Sequence, residues 1–96
     1  MRFDQLLTES VRLSILQLLE QDPDYSHNEQ IIQMALQALG HSLSLDRVRT
    51  ELRWLEEQGL LSVNDAGDLF VARLNRRGSD VAQGPARLDA IATVTP

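Results

Sequence analysis

The stretch "SLDRVRTELRWLEEQGLL", residues 44–61, decides the fold, because it contains a start, an apolar stripe and a stop for a single helix. Ser44 is one of the residue types that best cap a helix N-terminus with a side-chain oxygen. Leucine and valine then recur every three or four residues, which places them on one face of a helix. Gly59 supplies the left-handed backbone that commonly ends a helix. The sequence therefore predicts a helix over residues 44–58 that buries one face.

Further helices are predicted upstream of this segment. Apolar residues recur at helical spacing through residues 1–20, which form either one buried helix or two consecutive ones. Pro23 ends this region, because proline cannot continue a helix. Ser26 and Glu29 have capping-box spacing and predict the start of the next helix, which Gly40 ends.

The periodicity changes from helical to two after residue 59, which predicts β-strands. Residues 60–63 and 69–74 have strand character, and we predict that they pair as a hairpin. The intervening "NDAGD", residues 64–68, is rich in the residue types that form turns. The predicted fold class is therefore mainly α with a small β-hairpin.

The chain beyond the hairpin divides into a helical part and a tail. Residues 75–82 are predicted to add a final helical turn or two. Glycine and proline then become frequent, which favours irregular backbone. We therefore predict one domain over residues 1–84 and a flexible C-terminal tail over residues 85–96.

The composition is that of an ordinary globular protein, with 96 residues, 43% apolar residues and 24% charged residues. Cysteine is absent, which excludes disulfides, thiolate metal sites and cysteine nucleophiles within this sequence and is consistent with a reducing cytoplasm. We find no long apolar run and no basic-then-apolar leader, so we expect neither a membrane span nor a signal peptide.

The net charge of −5 argues against a general nucleic-acid binder, because phosphate binding depends on cation density. The charge is unevenly distributed: residues 1–46 carry two arginines against seven acids, whereas residues 47–96 carry seven of each. All nine cations are arginine. Arginine suits phosphates and guanine edges better than lysine does, although a coding bias towards arginine explains the absence of lysine equally well.

Three segments resemble winged helix-turn-helix regulators. The segment "SVRLSILQLLEQ", residues 10–21, resembles the opening helix of ArsR-type proteins. Residues 44–61 resemble the recognition helix of ArsR, MarR and PadR proteins, and "ARLNRRGSDVA", residues 72–82, resembles the segment that follows the wing in the MarR and PadR families. More narrowly, the chain from Phe3 to Gly84 resembles a small group of proteins encoded in Mu-like prophages and often described as ArsR-like.

This resemblance implies a winged helix-turn-helix fold, in which the helix over residues 44–58 enters the major groove of DNA. It also implies a homodimer that reads two half-sites, with the first helix and the tail as dimer contacts. ArsR metal sensors generally use cysteine or clustered histidine and carboxylate ligands, whereas this chain has no cysteine and only His27 and His41. We therefore expect no metal site and no cofactor.

The predicted helix presents a polar face opposite its apolar stripe. At about 100° per residue, this face contains Asp46, Arg49, Thr50, Arg53 and Glu57, with Arg47 at its margin. In the DNA-binding interpretation, the three arginines contact guanine edges or phosphates, and Thr50 contacts a phosphate or a thymine methyl group. In the alternative, Arg47 pairs with Glu51 and Arg53 pairs with Glu57, since such i,i+4 pairs stabilise solvated helices by about 0.2–0.5 kcal/mol each.

The predicted hairpin supports DNA binding less well. Its turn over residues 64–68 contains two acids and no cation, so we expect it to be repelled by phosphates. Arg73, Arg76 and Arg77 at the base of the hairpin are better candidates for phosphate contacts, or they neutralise the acidic remainder of the protein. Ser44 completes the set of predicted DNA-binding residues.

These observations favour a sequence-specific transcriptional regulator of prophage origin that binds double-stranded DNA in the cytoplasm as a homodimer. The alternative is a winged-helix adaptor that binds a phage protein during assembly or DNA packaging without direct DNA readout. The sequence contains no activated-nucleophile motif and no phosphate-binding loop, so we do not expect an enzyme.

Overall fold

A computed structural model describes residues 2–94 and contains four helices and a small antiparallel sheet within that range. The elements follow one another as α1 (Phe3–Glu20), β1 (Ser26–Asn28), α2 (Glu29–Ala38), α3 (Leu45–Glu57), β2 (Leu61–Ala66), β3 (Leu69–Leu74) and α4 (Arg76–Gln83). The strands are ordered β1-β3-β2, so the last strand along the chain lies in the centre. The first region is one continuous helix, which decides between the two alternatives left open by its sequence.

Helix α3 begins and ends where the sequence predicts. The Ser44 hydroxyl accepts a hydrogen bond from the backbone N–H of Arg47 at 3.1 Å, which satisfies one of the orphan donors of the first turn. Gly59 has a φ of +77°, a left-handed conformation that a side chain would strain. Val48, Leu52 and Leu55 of the apolar stripe are fully buried, and the polar face points away from the core.

Helix α2 begins differently from the predicted capping box, which is therefore wrong. Ser26 lies in β1, where its backbone is extended opposite Arg73 of β3. The cap is Asn28, whose Oδ1 accepts a hydrogen bond from the N–H of Ile31 at 2.9 Å. Glu29 does not return to the helix N-terminus, because its carboxylate is buried and bound elsewhere.

The hairpin is longer and tighter than predicted. Strand β2 continues to Ala66, so Asn64 and Asp65 belong to the strand and not to the turn. The turn itself is formed by Gly67 and Asp68 between the paired residues Ala66 and Leu69. Gly67 has a φ of +70°, as short hairpin turns require. The exposed acids Asp65 and Asp68 remain close to the tip of the hairpin.

The core lies between the helices and one face of the sheet. Its buried apolar side chains are Val11, Ile15, Leu16, Leu19, Ile32, Leu36, Val48, Leu52, Leu55, Leu60, Leu61, Ala72, Leu74, Val81, Ala82 and Ile91. Every helix and the two longer strands contribute to this set, which gives the small domain a single contiguous core. Within residues 2–94, no helix has both the length and the apolar character needed to cross a bilayer.

The chain after β3 packs back on the domain. Asn75 caps α4 by accepting the N–H of Gly78, and its amide donates to the Gly59 carbonyl at 2.8 Å. Further along, the N–H of Ala92 donates to the Glu9 carbonyl in α1 at 3.1 Å. Ile91 therefore belongs to the buried core, although it lies in the segment predicted to be a tail. The end of that segment, residues 95–96, lies outside the described residues.

Candidate functional site

The polar face of α3 forms one wall of an open cleft of about 540 Å³, and β3 contributes to the opposite wall. The cleft is lined by Asp46, Arg49, Thr50, Arg53, Trp54, Glu57 and Phe70. All five residues predicted to share this face are among them. Sequence reasoning missed Phe70, which it treated only as part of a strand.

Arg49 is bound to a buried carboxylate beside this cleft. Its Nε donates to Glu29 Oε1 at 2.5 Å, and its Nη2 donates to Glu29 Oε2 at 3.0 Å. The same Glu29 oxygen Oε2 accepts the backbone N–H of Phe70, and Arg49 Nη2 also donates to the Asp68 carbonyl at 2.8 Å. Glu29 is fully buried. This cluster, Glu29–Arg49–Phe70, therefore joins α2, α3 and the hairpin.

Glu29 and Arg49 each stabilise the ionised form of the other. The hydrogen bonds from Arg49, followed by the N–H of Phe70, hold the pKa of Glu29 below its ordinary value of 4.5 against the opposing effect of burial. The Glu29 carboxylate raises the pKa of Arg49 in turn, and Asp46 and Asp65 add to this effect. Both partners are therefore ionised at neutral pH.

Arg47 is also bound within the protein. Its Nε donates to Glu51 Oε2 at 2.9 Å, which is the i,i+4 pair that the sequence offered as the alternative to DNA contact. Its Nη2 donates to the Thr8 hydroxyl of α1 at 2.8 Å. Glu51 is only 3% exposed, so it is a structural anchor and not a surface charge.

A second arginine shares Glu51 from the opposite side. Arg12 Nε donates to Glu51 Oε1 at 2.6 Å, and its Nη1 donates to the Ala90 carbonyl at 2.9 Å. The Arg12 guanidinium also lies 3.7 Å from the centre of the Trp54 ring, a cation–π contact. Trp54 is thus a half-buried packing residue, and one network connects α1, α3 and the C-terminal segment.

Arg53 is the most accessible arginine of α3, with 45% of its side chain exposed. Its guanidinium lies 4.5 Å from the centre of the Phe70 ring, and its Nη1 donates to Glu56 Oε1 at 2.9 Å. The predicted pairing of Arg53 with Glu57 is therefore wrong. Glu56 faces β2, where its Oε2 accepts the N–H of Val63 at 2.9 Å.

The environment of Glu56 explains why it, and not its neighbour, attracts Arg53. The N–H of Val63 and then Arg53 hold the pKa of Glu56 below its ordinary value. This carboxylate anchors the C-terminal end of α3 to the hairpin, whereas Glu57 is exposed at the mouth of the cleft. Thr50 is exposed as well, and its hydroxyl donates to the Asp46 carbonyl one turn earlier at 3.0 Å.

The remaining predicted arginines do not line the cleft. Arg73 is exposed on β3 and, by strand alternation, lies on the face opposite Ala72 and the core. Arg76 and Arg77 are exposed in the first turn of α4. No salt bridge involves these three arginines within residues 2–94. They are therefore uncommitted positive charges outside the cleft.

His27 lies in β1, and His41 lies in the connection between α2 and α3. Nε2 of His27 lies 2.9 Å from an Asp22 carboxylate oxygen, and His41 follows the end of α2. Among the described residues, no group of three or more histidine or carboxylate side chains is arranged to hold a metal ion.

The fold and the cleft define a small α/β domain whose third helix presents a mixed-charge face beside a β-hairpin. The chain is 41% identical over 93 residues to the uncharacterized protein gp26 of Escherichia phage Mu, an alignment that covers 97% of this chain and 96% of that protein. It belongs to the same family as that phage protein. It is also 44% identical over 78 residues to an uncharacterized protein of Haemophilus influenzae, with 80% of this chain and 76% of that protein covered. Neither a protein-family model nor a solved structure matches the chain.

Proposed function

We propose that this protein is a winged helix-turn-helix regulator of phage origin that binds double-stranded DNA in the cytoplasm. In this proposal α2 and α3 are the helix-turn-helix, and the hairpin β2–β3 is the wing. The observation that carries it is the position of α3, which buries one face in the core and exposes the other beside the hairpin. That arrangement is the one by which winged-helix proteins insert a helix into the major groove. The family relationship to a phage Mu protein supports the phage origin.

In this proposal, some side chains of the protein contact the base edges of DNA and others contact its phosphates. Arg53 and Thr50 are exposed on α3 and are the residues best placed to contact bases. Arg73, Arg76 and Arg77 are uncommitted and suit phosphates, which fix the position of a protein on the duplex. Arg47 and Arg49 contribute less than their sequence suggests, because buried carboxylates already bind them.

We expect Arg53→Ala to weaken binding to DNA from the protein's own locus by about tenfold or more. A bidentate arginine contact to a base is worth about 1–3 kcal/mol, and Arg53 is bound only to a partly exposed glutamate. Fluorescence anisotropy at low salt measures the affinity. Arg87→Ala is the matched control, because it removes the same charge at an exposed position outside α3. Equal effects of the two substitutions on DNA affinity would show that α3 does not contact the DNA bases.

The proposal includes a homodimer. Phe3, Leu6 and Leu7 at the start of α1 are 73%, 47% and 43% exposed, an apolar surface that a second copy would cover. We expect Leu6→Glu to convert a dimer into a monomer in sedimentation experiments. Met34→Glu on α2, where the side chain is 64% exposed, is the control and should leave the dimer intact. A wild-type protein that stays monomeric at high concentration would remove dimerisation from the proposal.

The second candidate is an adaptor that binds a phage protein without reading DNA. It is favoured by the pairing of each α3 arginine with a carboxylate and by the acids Asp65 and Asp68 near the hairpin tip. In this case the cleft binds a polypeptide, and Phe70→Ser should abolish co-purification with one defined phage protein. Retention of that partner by the Phe70 variant would exclude the cleft as its binding site.

A further inference from the structure

We propose that Glu29 is a negative determinant of DNA affinity: it holds Arg49 away from the DNA and so keeps binding weak. This inference rests on the proposed function, because it concerns the same face of α3. Glu29 is buried and does not itself contact DNA in the proposed interface. It also predicts that removing a single charge strengthens DNA binding.

The geometry shows how Arg49 is restrained. Two guanidinium nitrogens are directed at the two oxygens of Glu29, at 2.5 and 3.0 Å, so the fork that would grip a guanine edge is occupied. A further hydrogen bond at 2.8 Å ties Arg49 to the Asp68 carbonyl at the turn of the hairpin. Arg53 lies in the same cleft and shares the Phe70 ring with Arg49, yet only Arg53 is bound to a partly exposed acid.

A DNA phosphate cannot easily take Arg49 from Glu29. Glu29 has no exposure to solvent, so departure of the arginine would leave a buried carboxylate without its charged partner, which is strongly unfavourable. Arg53 differs in this respect, because Glu56 is 34% exposed and can be solvated by water when its partner moves. Arg49 and Arg53 therefore both contact the Phe70 ring, but only Arg53 can leave its carboxylate partner to contact DNA.

Replacing the Glu29 carboxylate by a neutral amide would leave Arg49 in the cleft without its acidic partner, so that its positive charge could interact with DNA. Glutamine keeps a carbonyl oxygen that can accept the N–H of Phe70, so the connection between α2 and the hairpin is retained. The Asp68 carbonyl and the Phe70 ring, 4.5 Å from the guanidinium, continue to hold Arg49 beside Arg53. The freed cation would add one phosphate or base contact to those of Arg53.

The experiment compares Glu29→Gln with wild type by fluorescence anisotropy on labelled double-stranded DNA from the intergenic region of its own locus. We expect the variant to bind roughly three- to tenfold more tightly at about 50 mM salt, with a salt slope steeper by about 0.9, as one added phosphate contact requires. Asp24→Asn is the matched control, since it removes one exposed negative charge in the turn before β1. It should change the affinity little.

One further variant completes the test. The Glu29→Gln/Arg49→Gln double variant leaves no buried charge unpaired and should bind DNA as the wild type does, because Arg49 is not used; this comparison stands even if Glu29→Gln alone does not fold. The double variant should therefore lose the gain in affinity. Circular dichroism and cooperative unfolding establish that each variant is folded.

The outcomes separate the inference from the proposed function. If wild type binds DNA but Glu29→Gln does not bind more tightly, or if the Glu29→Gln/Arg49→Gln double variant binds as weakly as Arg53→Ala does, the role of Glu29 is overturned and the regulator proposal stands. If Asp24→Asn produces the same gain, the effect is one of net charge, and the inference is again overturned. If no folded variant binds at low salt, both proposals are overturned.

Discussion

A Gly78→Ala variant is expected to lose about 3 kcal/mol of unfolding free energy, a large part of the stability of a small domain. A β-carbon at this position would lie 2.1 Å from the Leu60 carbonyl oxygen and 2.6 Å from Leu74 Cδ1. The oxygen belongs to the backbone between α3 and β2, so it cannot rotate away as a side chain could. Urea denaturation followed by circular dichroism measures the loss.

The sign of this change distinguishes packing from helix propensity. At an unrestricted helical position, replacement of glycine by alanine stabilises a helix by about 1 kcal/mol. Ser79→Ala, one residue further along α4, is the control: it removes a hydroxyl that accepts a hydrogen bond from Gln83 Nε2 at 3.5 Å, and we expect it to change stability by less than about 0.5 kcal/mol. A Gly78→Ala protein as stable as wild type would mean that α4 does not pack against the α3–β2 connection at this distance.

A Glu29→Gln variant is expected to lose about 1.5–3 kcal/mol of unfolding free energy at pH 7, the range for hydrogen bonds to charged groups. The pKa of Glu29 is lowered in the folded protein, chiefly by Arg49, so its carboxylate stabilises the fold above its ordinary pKa of 4.5. That contribution is lost as the pH falls through the lower, folded pKa. The difference between wild type and variant should therefore be complete at pH 7 and shrink below about pH 4.5.

Denaturant titrations at several pH values between 7 and 3 measure this difference. Glu57→Gln is the control, because it removes one exposed carboxylate from the same cleft. The pKa of Glu56 is lowered in the same direction, so part of the acid sensitivity remains in the Glu29 variant. A constant difference from pH 7 to pH 3 would contradict the role of the ionised Glu29.

The helices of this domain follow from local sequence, because their signals lie within a few residues of each other. Ser44 and Gly59 bound α3, and both have the capping geometry that their residue types predict. Val48, Leu52 and Leu55 of the apolar stripe between them are buried as expected. The residues that share the polar face of α3 are likewise predictable, since the helical period alone determines them.

The carboxylate partner of Arg49 was not predictable, because it comes from a distant part of the chain. Glu29 is twenty positions from Arg49, and its spacing to Ser26 resembles a capping box that does not form. Strand β1 is only three residues long, too short for a periodicity to indicate it. Its pairing with β3 places Ser26 in an extended backbone and leaves the cap to Asn28. Long-range pairing therefore overrides the local motif.

This long-range control also explains why the sequence overstates the positive charge of α3. Arginines at regular helical spacing suggest a cationic face, and the i,i+4 pairing of Arg47 with Glu51 is anticipated from spacing. The carboxylate that binds Arg49 is contributed by another helix. The usable charge on this face is consequently smaller than the count of arginines implies.

The strand order β1-β3-β2 has a consequence for synthesis of the chain. The central strand, β3, is the last to leave the ribosome, so β1 has no partner until residues 71–73 have emerged. The hairpin β2–β3 is local and can form as soon as its turn is made. Strand β1, and with it the buried Glu29 that follows, is therefore completed late, after α3 is available to supply Arg49. A nascent chain released before β3 would expose an unpaired strand and a Glu29 carboxylate that lacks the N–H of Phe70.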